Sequence, residues 1–358
     1  MKKTLLGNWG GVRLVGLDLI RIVSALIVFL FHAYNPIGYR YGILNIFIKN
    51  GAIFMVAFFI LSGFSMAINY GKKDLTEWSE YRPYLIKRII SIYPVYIAVY
   101  LLYIIFQNDL SFKNNIIIAP IELSMTQSWF STLFSYTHNG GTWFLSCIFV
   151  CYIIYPLGAK LFAQMSLKER VLLMSGMYLL CSYAPVIPHR FSENVQVIYS
   201  NVLFRTVEFV IGIAMAFFQN DLRIYIFFKK ISKFSYLVVE SILFVAAITI
   251  AGRLRLNYLY ESFVAIPFFA FVILQVSLME NKQFGIFNSS LTTYLSNISY
   301  CFFLAQFFVW DMVKKVREVI PLSNYISLLV AFGVCAAISV LLYELVQKPI
   351  KSLMVQKL

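Results

Sequence analysis

The chain has 358 residues, of which 60% are hydrophobic, 18% aromatic and only 13% charged. This composition excludes a soluble globular protein, and apolar runs near 20 residues recur along the chain, as expected for helices that cross a bilayer. A membrane β-barrel is excluded because ten-residue units of alternating hydrophobicity are absent. The net charge of +14 does not indicate nucleic acid as a partner, because Lys and Arg are confined to short segments between the apolar runs. There they report membrane topology and contact with anionic lipid.

The first apolar run, residues 16–34, carries three ionisable side chains, Asp18, Arg21 and His32. Such residues are costly in hydrocarbon, so within a span they indicate function. At 100° per residue, Arg21 and His32 lie about 20° apart around the helix and about 16 Å apart along it. Asp18 falls one turn before Arg21, where the two can pair. The run therefore predicts one polar stripe, and the alternative is an interfacial Asp–Arg pair with His32 at headgroup level.

In chain order, the apolar runs predict an all-α, polytopic integral membrane protein of about ten transmembrane helices in a single domain, residues 1–358. The predicted spans are 16–34, 43–70, 89–106, 142–162, 170–187, 202–218, 234–251, 258–279, 294–313 and 326–346. Residues 116–130 are too short and interrupted for a span and are predicted to be interfacial or re-entrant. Basic residues at the N-terminus, in the 72–88 segment (interpreted as a loop) and in the C-terminal tail place both termini in the cytoplasm.

Further polar and aromatic residues in or beside the spans are weaker candidates. Arg205 and Glu208 are one turn apart and are predicted to pair, either as a structural pair or in a cavity wall. Trp143 is either an interfacial anchor or part of a site, and Ser62, which precedes a glycine, serves close helix packing or chemistry. His138 is interpreted as a solvated loop residue. No metal-ligand spacing or Gly-rich phosphate loop is present, so we expect no metal and no bound cofactor.

Several motifs occur in a fixed order along nearly the whole chain. Arg21 is followed, after ten residues, by His32, and further motifs occur later in the chain. They are FFILSGF (residues 58–64), KRIISIYPVY (87–96), GTWFLSCIFVCYIIYP (141–156), FRTVEFVIGIAMA (204–216), LSNISYCFFLAQ (295–306) and YELVQKP (343–349). The set resembles the bacterial membrane acyltransferase family three, whose members O-acylate cell-surface sugars. The chain departs from the family pattern at four positions, which are Ser91, Cys147, Gln306 and Gln347.

The resemblance implies a membrane O-acyltransferase of the bacterial inner membrane. Its co-substrate would be acetyl-CoA or another acyl-CoA, with succinyl transfer as an alternative, and its acceptor a hydroxyl of a cell-envelope polysaccharide or lipid-linked precursor. His32 matches the family's essential histidine and is the predicted general base or acyl carrier. Arg21 and Asp18 are the other predicted catalytic residues, which would orient the polar stripe or meet the thioester donor. The predicted donor- and substrate-binding residues are Arg88, Ser62, Trp143, Arg205, Glu208 and Tyr300. The alternative class is a transporter, flippase or polymerase of lipid-linked glycans, which also has many spans and buried charges.

Overall fold

The computed structural model describes residues 13–107, 112–130, 136–183, 199–254 and 259–355, and these are helical throughout apart from turns and short connections. The prediction of an all-α membrane protein is confirmed. The α-helices are α1 (Val15–Ile37), α2 (Asn45–Lys49), α3 (Phe54–Tyr70), α4 (Trp78–Gln107), α5 (Phe112–Leu123), α6 (Trp143–Gln164), α7 (Leu167–Tyr183), α8 (Val202–Phe218), α9 (Leu222–Ile231), α10 (Phe234–Arg253), α11 (Leu259–Ser277), α12 (Ser290–Val319), α13 (Asn324–Leu342) and α14 (Lys348–Val355).

The number of membrane crossings differs from the prediction. Within the described residues, six helical segments are long and apolar enough to cross a membrane. Two bent pairs bring the number to eight if each pair is one span: α8 with α9, bent by 97°, and α11 with the 3₁₀ segment Asn281–Phe287, bent by 103°. Helices occupy all ten predicted positions, but α7 and α12 are not among these eight, so ten spans stay a prediction. Residues 184–187 and 258, at the ends of two predicted spans, lie outside the described residues.

The predicted second span, residues 43–70, is not one continuous helix. The Nδ2 of Asn50 donates to the carbonyl of Ile46 at 2.8 Å, just after α2 ends at Lys49. A 3₁₀ turn over Gly51–Ile53 then leads into α3. Gly51 packs against α1, where an added Cβ would lie 2.9 Å from the Cβ of Phe31. The apolar run is therefore broken because the chain must turn at the surface of α1 before it crosses.

The basic segment before the predicted third span is not a loop up to residue 88. Helix α4 begins at Trp78, eleven residues before the predicted start. Pro83 lies in its second turn, where the missing backbone N–H removes one hydrogen bond of the helix without ending it. Arg88 therefore lies on a helix, in register with Ser91 and Ile92, instead of on a flexible connection.

Helix α3 is the most deeply buried of the apolar segments and packs closely against α8. The approach requires glycine on both sides: a Cβ on Gly63 would overlap the carbonyl oxygen of Phe209, and one on Gly212 would overlap that of Ile60. Small residues at helix interfaces allow this close packing in membranes. On the other side of α3 lies α1, which packs along α12. These helices, with α4 and α6, hold the site described next.

Candidate functional site

A cavity of about 290 Å³ opens among α1, α3, α4, α6, α12 and the segment after α13. Its lining combines cations, small hydroxyl and amide side chains, and aromatic or apolar side chains. They are Arg21, Met55, Phe58, Ser62, Arg88, Ser91, Ile92, Phe144, Ile148, Tyr152, Ser296, Asn297, Ser299, Tyr300, Phe303, Gln347 and Lys351. Four predicted site residues thus line one cavity: Arg21, Ser62, Arg88 and Tyr300.

Helix α12 supplies the polar side of this cavity because its polar residues recur at helical spacing. Ser296, Ser299 and Tyr300 lie on one face of this helix. The helix begins at Ser289, whose hydroxyl caps it by accepting from the Thr292 N–H at 3.2 Å. The Tyr300 hydroxyl donates to the carbonyl of Ile92 at 2.7 Å, which fixes α12 against α4. This spacing in LSNISY is the signal that would have identified the serines from sequence.

Arg21 is held at the cavity by α12 and by its own helix. Its Nη1 donates to Ser296 Oγ at 2.9 Å and lies 3.5 Å from Asp18 Oδ1. Asp18 also accepts from the Ser296 hydroxyl at 2.7 Å and from Arg13 Nε at 2.8 Å. The predicted pairing of Asp18 and Arg21 is present, but Asp18 itself does not line the cavity and is shared with Arg13. Asp18 therefore orients Arg21. Because two arginines share this one carboxylate, the net charge of the three side chains is positive.

Arg88 faces the same cavity with few partners. Its Nη2 donates to the Tyr70 hydroxyl at 2.9 Å, and its guanidinium lies 5.3 Å from the centre of the Tyr70 ring. Its Nη1 approaches Met66 Sδ at 3.5 Å, and its Nε is buried without a hydrogen-bond partner in the described part of the chain. No carboxylate among those residues pairs with it. Arg88 is a cation oriented towards a cavity that can take an anion.

His32 lies at the other end of α1 and does not line the cavity. Its Nδ1 lies 3.1 Å from Gln306 Oε1, and Gln306 Nε2 donates to the carbonyl of Ala25 at 3.3 Å. Because that second bond fixes the amide, Oε1 faces His32 and can only accept. Nδ1 therefore carries the hydrogen, and Nε2 presents a lone pair, the form that a general base or nucleophile needs. Phe307 packs on the ring, with centroids 4.5 Å apart.

The α1–α12 interface connects His32 with the cavity. Along α12, Phe303 lines the cavity and Phe307, one turn on, contacts His32. Along α1, Arg21 lines the cavity, and His32 lies eleven residues later on nearly the same face, about 16 Å away by helix rise. The rings of Phe303 and Phe144 pack at 5.3 Å beside this line. The polar groups of the cavity and the imidazole are thus two ends of one helix–helix seam.

Arg205, Glu208 and Trp143 form a separate, closed cluster. Arg205 Nη1 bonds both carboxylate oxygens of Glu208, at 2.7 and 2.9 Å, and its Nε donates to the carbonyl of Tyr199 at 2.8 Å. Trp143, only 4% exposed, is one of three aromatic rings within 6 Å of the guanidinium. The predicted ion pair forms, but these residues do not line the cavity, and Trp143 is buried within the protein.

The interpretation of His138 as a solvated loop residue is wrong. Its side chain is 2% exposed, and its Nδ1 lies 2.7 Å from Glu122 Oε2. Its backbone N–H donates to the other carboxylate oxygen of Glu122 at 2.9 Å. The neighbouring Asn139 reaches α12 by donating to the carbonyl of Leu304 at 3.4 Å. A buried carboxylate partner, distant in sequence, gives no local pattern, so only the fold reveals this contact.

The acyltransferase domain of acyltransferase family 3 matches residues 14–344, so the chain belongs to that family. It is a membrane protein with an acyltransferase domain. Neither the comparison with curated proteins nor that with solved structures gave a match.

Three of the four positions at which the chain departs from the family pattern lie at the site. Ser91 and Gln347 line the cavity, and Gln306 holds His32, whereas Cys147 is buried beside the carbonyl of Ser200. Among the described residues, no group of three or more His, Cys, Asp or Glu side chains could hold a metal ion.

Proposed function

We propose that the protein is an inner-membrane O-acyltransferase that moves an acyl group, in the first instance acetyl, from acyl-CoA to a hydroxyl of a cell-envelope glycan or its lipid-linked precursor. The observation that carries the proposal is the α1–α12 seam. It joins a cavity with two arginines to a histidine whose tautomer leaves Nε2 as an acceptor. Membership of acyltransferase family 3 supports the reaction class.

The donor's phosphates are proposed to bind in the cavity. Arg21 and Arg88 line it, and guanidinium groups bind phosphate oxygens with short, charge-assisted hydrogen bonds. The hydroxyls of Ser62 and Ser299 and the amide of Asn297 add polar contacts along the same wall. The cavity lies at the end of α1 and α4 where the basic segments cluster, which supports a cytoplasmic opening and cytoplasmic termini.

The chemistry is proposed to occur at Nε2 of His32. In the direct route, Nε2 of His32 takes the proton of the acceptor hydroxyl while the hydroxyl oxygen attacks the thioester carbonyl. The C–S bond then breaks, and the CoA thiolate receives the proton from the imidazolium. In the covalent route, Nε2 attacks the carbonyl and the C–S bond breaks, so that CoA leaves as the thiolate and an acyl-imidazolium forms. The acceptor hydroxyl oxygen then attacks the acyl carbon, the C–N bond breaks to release neutral imidazole, and the hydroxyl proton passes to the CoA thiolate. In both routes Gln306 keeps the hydrogen on Nδ1, so Nε2 is the reacting atom.

The test is acyl transfer by purified protein reconstituted in lipid, with labelled acetyl-CoA and an envelope-glycan extract. His32→Ala should lower the rate by about 10²- to 10⁴-fold, the usual size of a general acid–base contribution. Asn35→Ala, an exposed position one turn further along α1, is the matched control and should retain activity.

Equal rates in the wild type and His32→Ala would remove His32 from the mechanism. Absence of transfer by the wild type, with glycan movement across the bilayer, would identify a transporter instead. Labelled succinyl-CoA in parallel separates the two acyl groups.

A further inference from the structure

The cavity has a third cationic residue on a segment that follows the last long helix. Helix α13 ends at Leu342 and passes through a π-helical turn, Tyr343–Gln347, into α14. π-helical turns are rare and occur often at functional sites. Gln347 and Lys351 lie four residues apart, on one face, and both line the cavity. The family match ends at residue 344, so both lie outside the matched residues.

Gln347 fixes this segment against the cavity wall. Its Nε2 donates to the carbonyl of Ser91 on α4 at 3.0 Å, and its Oε1 accepts from the Cys301 thiol on α12 at 3.4 Å. Both polar ends of the amide are therefore used, each on a different helix of the cavity. A segment attached in this way holds the next turn, with Lys351, at the cavity mouth.

Lys351 faces Arg88 across the cavity, and the two charges disfavour one another. No carboxylate of the described residues pairs with either of them. Lys348, on the same helix, is different, because its Nζ lies 2.7 Å from Glu344 and it does not line the cavity. Two cations held at one opening without an acid create a positive potential that attracts an anion.

We propose that Lys351, positioned by Gln347 and the π-helical turn, is a phosphate-binding residue of the donor site, so that the C-terminal helix forms the third wall for a phosphorylated acyl donor. This inference rests on the proposed function and deepens it. Lys351 is exposed at the mouth, where a flexible ammonium group can follow a phosphate. Arg21 and Arg88 then contact the donor deeper in the cavity. Lys351 contributes to the affinity for the charged end of the donor and does not change the rate of acyl transfer.

The experiment measures CoA binding by isothermal titration to the full-length protein in lipid nanodiscs, with pantetheine, which lacks the phosphates, as the second probe. Lys351→Gln should weaken CoA binding about tenfold, the loss expected for one charge-assisted contact. Lys351→Arg should remain within about threefold of the wild type because its charge is retained. Lys348→Gln is the matched control and should bind as the wild type does. Pantetheine binding should be equal in all four proteins, and the loss in Lys351→Gln should shrink as salt screens the contact.

Three results would overturn the inference, and they differ in whether they also overturn the proposed function. If the wild type binds CoA and Lys351→Gln binds it equally well, Lys351 is not a donor contact, while the proposed function stands. The same holds if the loss is as large for pantetheine as for CoA. If the wild type itself does not bind CoA, the proposed donor is wrong and the role of Lys351 is wrong with it.

Discussion

Two arginines in this protein, the buried Arg205 and the half-buried Arg88, are held in opposite ways. Arg205 is closed: both oxygens of Glu208 and the carbonyl of Tyr199 accept from it, and aromatic rings cover its faces. Arg88 is open: it has one tyrosine hydroxyl and one thioether as partners, its Nε has none within the described ranges, and it lines a cavity. Both came from the sequence as candidate binding residues, and only Arg205 had a predicted local partner, Glu208 one turn away.

The difference shows which groups offset the free-energy cost of removing a charge from water. Removing an ion from water costs several kcal/mol, and a protein can offset that cost with a well-placed counter-ion and hydrogen bonds. Arg205 has all of these inside the fold, so the cost of burying its charge is offset within the protein. Arg88 lacks a carboxylate partner in the part of the chain that the structure describes, so its guanidinium remains available to an anion. Partner geometry, and not burial alone, therefore separates a structural cation from a binding one.

The variant with the largest expected effect removes Glu208, the counter-ion of Arg205. Glu208→Leu leaves Arg205 buried without its carboxylate, and we expect a loss of about 3–5 kcal/mol in stability, as for other broken buried pairs. Thermal unfolding of the purified protein in detergent, with the yield of folded protein, measures the effect. CoA affinity of the protein that remains folded should be unchanged, because neither residue lines the cavity.

The double variant Arg205→Met with Glu208→Leu is the control for the closed site. Replacing both members of a buried pair by apolar residues of similar size is often neutral or stabilising. Recovery of thermal stability in the double variant would show that the single variant fails because of an unpaired charge. If the double variant is stable but no longer binds CoA, the closed cluster belongs to the donor site and the comparison is wrong.

The second test removes the cation from the open site. Arg88→Gln should raise the KM for acyl-CoA by roughly 10- to 100-fold, since hydrogen bonds to charged groups contribute about 1.5–3 kcal/mol. Thermal stability should change little, because Arg88 has no ion-pair partner among the described residues to leave behind. Initial rates against acyl-CoA concentration, with a melting curve for each variant, measure both quantities.

Arg88→Lys sharpens the second test, because it keeps the charge and loses the planar fork. We expect a KM between those of the wild type and Arg88→Gln. A variant Arg88→Gln that unfolds as readily as Glu208→Leu, with normal KM, would place Arg88 with the structural cations. That result would break the distinction between open and closed sites.

Most of the fold could be read from the sequence because the bilayer imposes one rule on every span. A crossing segment must be apolar for about 20 residues and helical throughout, so hydropathy alone places most helices. The failures have local causes. Residues 43–53 are apolar enough to continue a span, but Asn50 and Gly51 turn the chain at the surface of α1. The start of α4 was missed because basic residues indicate the membrane side and not the end of a helix.

Helical spacing alone predicted the site only where its residues share a helix. Arg21 and His32 stand out because one helix carries both, and the Ser296–Tyr300 spacing carries the same kind of signal. Contacts between distant segments give no such pattern. The partner of His32 is 274 residues away, and Gln347 reaches Ser91 across 256 residues. Such pairs depend on how α1, α4, α12 and the C-terminal segment pack, which no spacing in the chain specifies.

The variant with the smallest expected effect applies the distinction between paired and unpaired polar groups to the two ring nitrogens of His32. In His32, Nδ1 is closed by Gln306, and Nε2 has no hydrogen-bond partner within the described residues. Gln306→Leu removes the acceptor that holds the hydrogen on Nδ1, so the other tautomer and other ring orientations become accessible. We expect kcat to fall about tenfold, close to the 1–2 kcal/mol of a lost neutral hydrogen bond, with the KM for acyl-CoA unchanged. Steady-state rates in reconstituted lipid separate the two constants.

Gln306→Asn is the matched variant, because it keeps the amide and shortens its reach by one methylene. A partial loss of kcat there, with a larger loss in Gln306→Leu, would show that the acceptor atom matters and not the volume of the side chain. Loss of thermal stability with normal kcat in the folded fraction would make Gln306 a packing residue of the α1–α12 seam. A rise in KM without a fall in kcat would place Gln306 in the donor site, and the separation of the seam into a binding end and a reacting end would then be wrong.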